Sequence, residues 1–217
     1  MRSVIFDMDG ILFDTEKLCM DSWIAVADRH GLPDMEIVFP KCIGTNANDS
    51  KEIVLEAYGR DFDYDAFKVE ASKWFWDYID REGLPIKPGV KELLAWMKAE
   101  NWEIGLASST KRSSVLSCLE KAEILDYFKV VITGDMVEHS KPLPDIYLIA
   151  CEKLGVDPRA TYAIEDSTNG IRSAHAAGMF PLMVPDLIAP TDEMRELSTG
   201  IFKDLFEVQK YLAEVEE

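Results

Sequence analysis

SVIFDMDGILFDTE, residues 3–16, sets the frame for the whole chain. Val4, Ile5 and Phe6 form a short, continuously apolar run rich in β-branched residues, the mark of a strand buried on both faces. The run stops on Asp7, and a second acid, Asp9, follows two residues later. Gly10 breaks the pattern, and a further polar cluster, Asp14, Thr15 and Glu16, comes after more apolar residues. A strand buried on both faces needs neighbours, and a chain that ends such a strand on two acids has placed reactive groups where a sheet meets solvent.

Working outward, the period changes at Thr15. Leu18, Trp23, Ile24 and Ala27 fall at helical spacing, and GLP at 31–33 ends the segment. Residues 48–58 form a second helical segment. A third covers 64–83, where Phe67, Ala71, Trp74, Phe75 and Tyr78 share one face that reads as packing surface. No strand interrupts this block. After the punctuation LPIKPG at 84–89, helix and strand alternate strictly. Helices are expected over 89–100, 111–120, 145–154 and 167–178, with strands over 103–107, 130–133, 161–165 and 180–184 and a terminal helix over 203–214. Such alternation makes a parallel sheet with helices on both faces. The first strand has no partner before residue 84, so it joins this sheet. The expected architecture is α/β, with a core of residues 1–14 and 84–217 and a helical insert over 15–83.

Composition bounds the function. A chain of 217 residues that is 47% hydrophobic can bury a substantial core. The net charge of -17 would repel a phosphate polyanion, which argues against nucleic-acid partners but not against a small anion in a local positive pocket. No apolar run approaches the ~18 residues of a membrane span. The opening MRSVIFDMDG has neither the apolar stretch nor the cleavage site of a signal peptide. Cys19, Cys42, Cys118 and Cys151 are widely spaced, so reduced thiols in a cytoplasmic chain are expected. His30, His139 and His175 have no metal-ligand spacing.

In open parallel sheets, sites form beyond the carboxyl ends of the strands. Three strand ends here carry polar groups: Asp7 and Asp9; Ser108 to Lys111; and Glu165, Asp166 and Ser167. The loop HSKPLPD, 139–145, adds Lys141. Each alone reads as turn or capping chemistry; four in order make a site. Carboxylates ~4 Å apart repel by about 4 kcal/mol at an effective dielectric near 20, so a positive partner is required. All-oxygen ligands suit a hard cation such as Mg2+. Cation, Lys141, the Ser108 hydroxyl and backbone amides around Gly10 would cradle a phosphoryl group, and an ionised aspartate beside it is a candidate nucleophile.

FDMDGILFDTE, ASST, SKPLPD and IEDSTNGIRSAHAAGM together resemble the haloacid dehalogenase superfamily, on its phosphatase and phosphomutase branch. The resemblance implies a Rossmann-like core with a helical cap inserted after strand one. It also implies Asp7 as nucleophile, Asp9 as general acid and then base, Ser108 as a phosphoryl hydrogen-bond donor and Lys141 as the steadying charge. Mg2+ would be held by Asp7, the backbone carbonyl of Asp9 and Asp166, with Glu165 in support. Thr15, Glu16, Gly44, Asn46, Ser109 and Lys111 are expected to bind substrate, a small phosphorylated metabolite, in a protein expected to be monomeric.

Within that family, Asp9 argues against dehalogenation, because halide needs no proton donor. The β-phosphoglucomutases carry a histidine where this chain has Cys19, and an arginine in the cap loop where alignment of IGTNAN gives Ala47. Without that arginine the bidentate clamp on a second phosphate is missing. Hydrolysis of a sugar phosphate is therefore favoured, with β-phosphoglucomutase activity as the alternative. A phospho-accepting receiver module, the reading from another class, has no helical insert after its first strand.

Overall fold

The computed structural model describes residues 2–43 and 47–215. Gly44 and Asn46, two of the expected substrate contacts, lie outside the described residues. The chain divides into two compact units, Met1–Phe13 with Ile86–Glu217, and Asp14–Pro85.

The larger unit is built on a parallel sheet in the order β3-β2-β1-β4-β5-β6. Its strands are β1 (Ser3–Phe6), β2 (Glu103–Ser108), β3 (Val130–Thr133), β4 (Thr161–Glu165), β5 (Phe180–Met183) and β6 (Gly200–Ile201). β1 runs parallel to β2 on one side and β4 on the other, with Val4 opposite both Ile104 and Tyr162. The unbroken apolar run of β1 follows from this place in the middle: Val4, Ile5 and Phe6 are fully buried. The order of strands reverses direction between β1 and β4, and a crevice at their carboxyl ends is where such sheets present chemistry. In chain order the helices are α1 (Thr15–His30), α2 (Met35–Val38), α3 (Ala47–Tyr58), α4 (Tyr64–Glu82), α5 (Val90–Ala99), α6 (Arg112–Lys121), α7 (Asp145–Leu154), α8 (Thr168–Ala176), α9 (Asp192–Leu197) and α10 (Leu205–Glu214).

Local chemistry fixes the helix ends. Ser167 caps α8 by accepting from the Gly170 amide, and Asp204 caps α10 by accepting from Phe206 and Glu207. α1 stops at Gly31, whose φ of 65° is the left-handed conformation that glycine adopts without strain. α7 packs Ile146, Tyr147, Ala150 and Cys151 onto Ile5, Ala107, Ile132 and Ala163 of the sheet.

The smaller unit holds α1–α4. Its core is Trp23, in edge-to-face contact with Phe39, Tyr64 and Phe67 at centroid distances of 5.0, 6.2 and 5.5 Å. Such aromatic pairs contribute about 0.5–1.5 kcal/mol each beyond the area they bury. The Lys68 ammonium covers the same indole at 4.5 Å. The buried face of α4 is Tyr64, Phe67, Ala71 and Ile79; Trp74, Phe75 and Tyr78, expected on that face, are only half-buried. Trp74 still packs against the Trp23 core, and it stacks on Tyr78 at 5.5 Å.

The alternation legible in the sequence stops at 184, whereas the structure adds α9 and the sixth strand. β6 has two residues, too few to show a period. Among the described residues, no helix is long and apolar enough to cross a membrane, and the four cysteines are free thiols.

Candidate active site

Asp7 ends β1 but stays in its ladder: its amide donates to Ile164 O at 2.9 Å, which fixes the residue against β4. It is 7% exposed. The chain then folds tightly on itself, with Leu12 N donating to Met8 O and Gly10 N to Phe13 O. Gly10 has φ +78°, and a Cβ there would lie 2.1 Å from Asp166 Oδ2. Only glycine lets this loop pass so close to the Asp166 carboxylate.

Asp9 is half-buried. Its Oδ2 accepts from the Thr110 hydroxyl at 2.8 Å and, at a longer 3.5 Å, from that of Ser108. Ser108 Oγ in turn accepts from Thr110 N at 3.1 Å. The end of β2 therefore holds Asp9 through two hydroxyls, of which Thr110 is the nearer. Thr110 lies inside the ASST motif, yet nothing in the local pattern assigns it to Asp9.

Lys141 comes from the loop before α7. Its Nζ donates to Asp7 Oδ1 at 2.5 Å, Glu165 Oε1 at 2.6 Å and Ala107 O at 3.1 Å. An ammonium has three N–H donors, so this one is saturated. Tyr147, fully buried, donates its hydroxyl to the same Glu165 Oε1 at 2.7 Å. The other oxygen of Glu165 accepts from Asp166 N and Ser167 Oγ, both at 3.2 Å. Glu165 is fully buried, and a Cβ on Gly170 would fall 1.9–2.0 Å from its carboxyl atoms. The glycine in the first turn of α8 thus makes the room that Glu165 occupies. Tyr147 is the second functional residue missed: in sequence it reads as one more core aromatic on a helix.

Four carboxylates, Asp7, Asp9, Glu165 and Asp166, gather at these strand ends, and the Lys141 ammonium pairs with two of them, Asp7 and Glu165. One oxygen from each of Asp7, Glu165 and Asp166 lies within 4.8 Å of the others. Burial pushes the Asp7 carboxyl well above the usual range, against the lowering pull of Lys141. Burial alone would lower Lys141, but Asp7 and Glu165 overcome it and hold the ammonium above its ordinary value. Burial also raises the Tyr147 phenol, with Glu165 adding to the effect, so Tyr147 is a donor and not a base. Burial makes two of the thiols poor nucleophiles, pushing Cys118 to about 12 and Cys151 to about 11. The excess of negative charge, the all-oxygen donors and the close pass of Gly10 by Asp166 fit a hard divalent cation.

Of the expected site residues, the structure brings together Asp7, Asp9, Ser108, Lys141, Glu165 and Asp166. Ser109 and Lys111 are exposed beyond the end of β2, Lys111 as the N-cap residue of α6. Thr15 and Glu16 open α1 in the smaller unit.

The family model for haloacid dehalogenase-like hydrolases matches residues 4–184. A phosphorylated carbohydrates phosphatase of Thermotoga maritima is 35% identical over 181 residues, covering 82% of each chain. A β-phosphoglucomutase of Bacillus subtilis is 32% identical, covering 85% of this chain and 83% of its own. Among solved structures, a β-phosphoglucomutase-like protein of Thermotoga maritima superposes with a TM-score of 0.83 at 30% identity, covering 99% of this chain and 100% of that one. With its family model spanning most of the sequence and its sheet, helices and acidic strand ends arranged as described, the chain belongs to the haloacid dehalogenase-like hydrolases.

Proposed function

We propose that the chain is a Mg2+-dependent phosphatase that hydrolyses a small phosphate monoester, a sugar phosphate, through an aspartyl-phosphate on Asp7. The observation that carries the reading is the separation of two aspartates into different surroundings. Asp7 is buried against Lys141, while Asp9 is half-buried and held by hydroxyls. We read the one beside the ammonium as the nucleophile and the one held by hydroxyls as the proton carrier.

In the first step an Asp7 carboxylate oxygen bonds to phosphorus and the bond from phosphorus to the ester oxygen breaks. Asp9, as the acid, gives its proton to the departing alkoxide. In the second step water attacks phosphorus, Asp9 takes the water proton, the Asp7–phosphorus link breaks and phosphate leaves. Lys141 keeps Asp7 oriented and offsets its charge, and Glu165 and Tyr147 keep Lys141 in place. Asp7, Asp166 and the Asp9 carbonyl are the groups that would hold Mg2+, which when bound neutralises charge on the transferring phosphoryl group. Glu165, expected to support the metal shell, has both oxygens engaged by protein donors and in this reading also anchors Lys141. The smaller unit, Asp14–Pro85, is proposed as the cap that selects substrate, and Thr15, Glu16, Gly44, Asn46, Ser109 and Lys111 are proposed as substrate contacts. A cytoplasmic, monomeric enzyme acting on metabolites fits the free thiols and the net charge of -17.

Phosphate release over a panel of sugar phosphates, with and without Mg2+, tests this reading. Turnover that needs Mg2+ and vanishes in a folded Asp7→Asn variant is expected; near-normal activity in that variant would overturn the nucleophile. The mutase reading is supported by the likeness to the Bacillus subtilis β-phosphoglucomutase. It is tested by supplying β-glucose 1-phosphate with a trace of the bisphosphate: glucose 6-phosphate would favour it, and free phosphate alone would reject it.

A further inference from the structure

Asp186 follows β5 in the segment VPDL, 184–187. Val184 N donates to Glu165 O at 2.8 Å, so this segment continues the β4–β5 ladder to the very end of β4. The Asp186 side chain is 10% exposed. Its Oδ1 is paired with the Lys87 ammonium. Lys87 is itself fixed where the chain re-enters the larger unit, its amide donating to Leu12 O at 3.0 Å. Asp186 Oδ2 is buried and has no hydrogen-bond partner among the described residues. A carboxylate oxygen of Asp186 lies within 4.8 Å of one of Asp166.

These facts conflict unless something is placed between the two acids. Ionised carboxylates this close repel, and a buried acceptor without a donor is strongly disfavoured. Lys87 answers only one oxygen of Asp186. The missing partner must be a donor, and it must sit beside Asp166. Mg2+ keeps several of its waters when bound by few carboxylates, and those waters are polarised donors.

We infer that Asp186 is a positioning residue of the cation centre: its Oδ2 accepts a hydrogen bond from a water of the cation's shell, with Lys87 holding the carboxylate in place. The inference rests on the cation reading under Proposed function. It adds to that reading a residue from the segment after β5, so that the shell is gripped from three neighbouring strand ends.

Isothermal titration of Mg2+ into the substrate-free protein tests it without recourse to turnover. Asp186→Asn, equal in shape but without the charge, should bind Mg2+ about tenfold more weakly than the parent, and Asp186→Leu, which removes the acceptor too, about 10–100-fold more weakly. Circular dichroism checks that each variant is folded, and the Asn variant carries the test should the Leu variant fail to fold. Parent-like affinity in Asp186→Asn, within about twofold, would overturn the inference while leaving the cation centre standing. No Mg2+ binding by the parent would overturn the centre and this inference with it.

Discussion

Lys141→Met is the most exacting perturbation of the site. Methionine keeps most of the length of the side chain and its apolar body but removes the ammonium, which lies 5.1 Å from the centre of the Tyr147 ring, and with it the charge. Asp7 and Glu165 then lose the donor that sits 2.5 and 2.6 Å from their oxygens. Those carboxylates present oxygens within 4.8 Å of each other, a separation at which two unit charges repel by about 3.5 kcal/mol at an effective dielectric near 20. Removing one partner of a buried pair costs about 3–5 kcal/mol in general, so the two estimates agree. The repulsion is relieved when Asp7 takes a proton, and burial already raises its pKa. A carboxyl whose folded pKa is raised binds its proton more tightly in the folded state. Its stabilising effect is present at low pH and is lost as pH rises through the folded value. The deficit of Lys141→Met should therefore be largest near pH 8 and shrink toward pH 5, and Mg2+ should shrink it at any pH. Urea denaturation followed by circular dichroism at both pH values, with and without Mg2+, reads all of this. A loss under about 1 kcal/mol at pH 8, or a deficit that grows on acidification, would refute the claim that Lys141 offsets two buried carboxylates.

Two other predictions test parts of the same scaffold. Gly170→Ala places a methyl 1.9–2.0 Å from the Glu165 carboxyl atoms, so Glu165 must leave its place against Lys141 and Tyr147. The variant should lose about 1–3 kcal/mol by differential scanning calorimetry, although alanine favours helix over glycine by about 1 kcal/mol; a stabilised protein would mean that Glu165 is not fixed as described. His139, exposed in the Lys141 loop, pairs through Nδ1 with Asp145 Oδ1 at 2.8 Å, and that hydrogen bond raises its pKa. A histidine raised in the folded state stabilises below its unfolded value and loses that effect as pH rises through the folded one. The parent should thus melt above His139→Gln at pH 5.5 and level with it at pH 8.5; equal melting temperatures at both would rule the pairing out.

Much of this site was legible because each reactive residue stands at the end of an apolar run. Asp7, Ser108 and Glu165 close β1, β2 and β4 or follow directly on them, and parallel pairing with β1 in the middle forces those ends together. No long-range information was needed beyond the rule that helix and strand alternate. Other parts depend on partners far apart in sequence. Tyr147 looks like packing until Glu165, 18 residues on, receives its hydroxyl. Asp186 sits among loop residues, and Lys87, its partner, is 99 positions away. β6 is invisible because two residues carry no period. Spacing gives the face of α4 but not its depth of burial: Phe67 and Ala71 are buried, whereas Trp74, Phe75 and Tyr78 are half-buried.

The hydrogen-bond arrangement also separates two hydroxyls that the motif treats alike. Lys141 has no N–H left for an incoming phosphoryl group, because Asp7, Glu165 and Ala107 take all three. Donors to that group must come from elsewhere at the same strand ends. Thr110 is bound to Asp9 at 2.8 Å, a full hydrogen bond, and so is committed to holding Asp9. Ser108 is only 3.5 Å from the same oxygen, at the limit of a useful bond. One of its two lone pairs takes the Thr110 amide, and the hydroxyl proton is the group that can turn. In this reading Ser108 gives up a weak bond to Asp9 to meet the phosphoryl oxygen, while Thr110 keeps Asp9 in line with the leaving alcohol. The division needs both hydroxyls at their present spacing, one residue apart on either side of Ser109, and it assigns to Thr110 an orienting role distinct from the phosphoryl-binding role of Ser108.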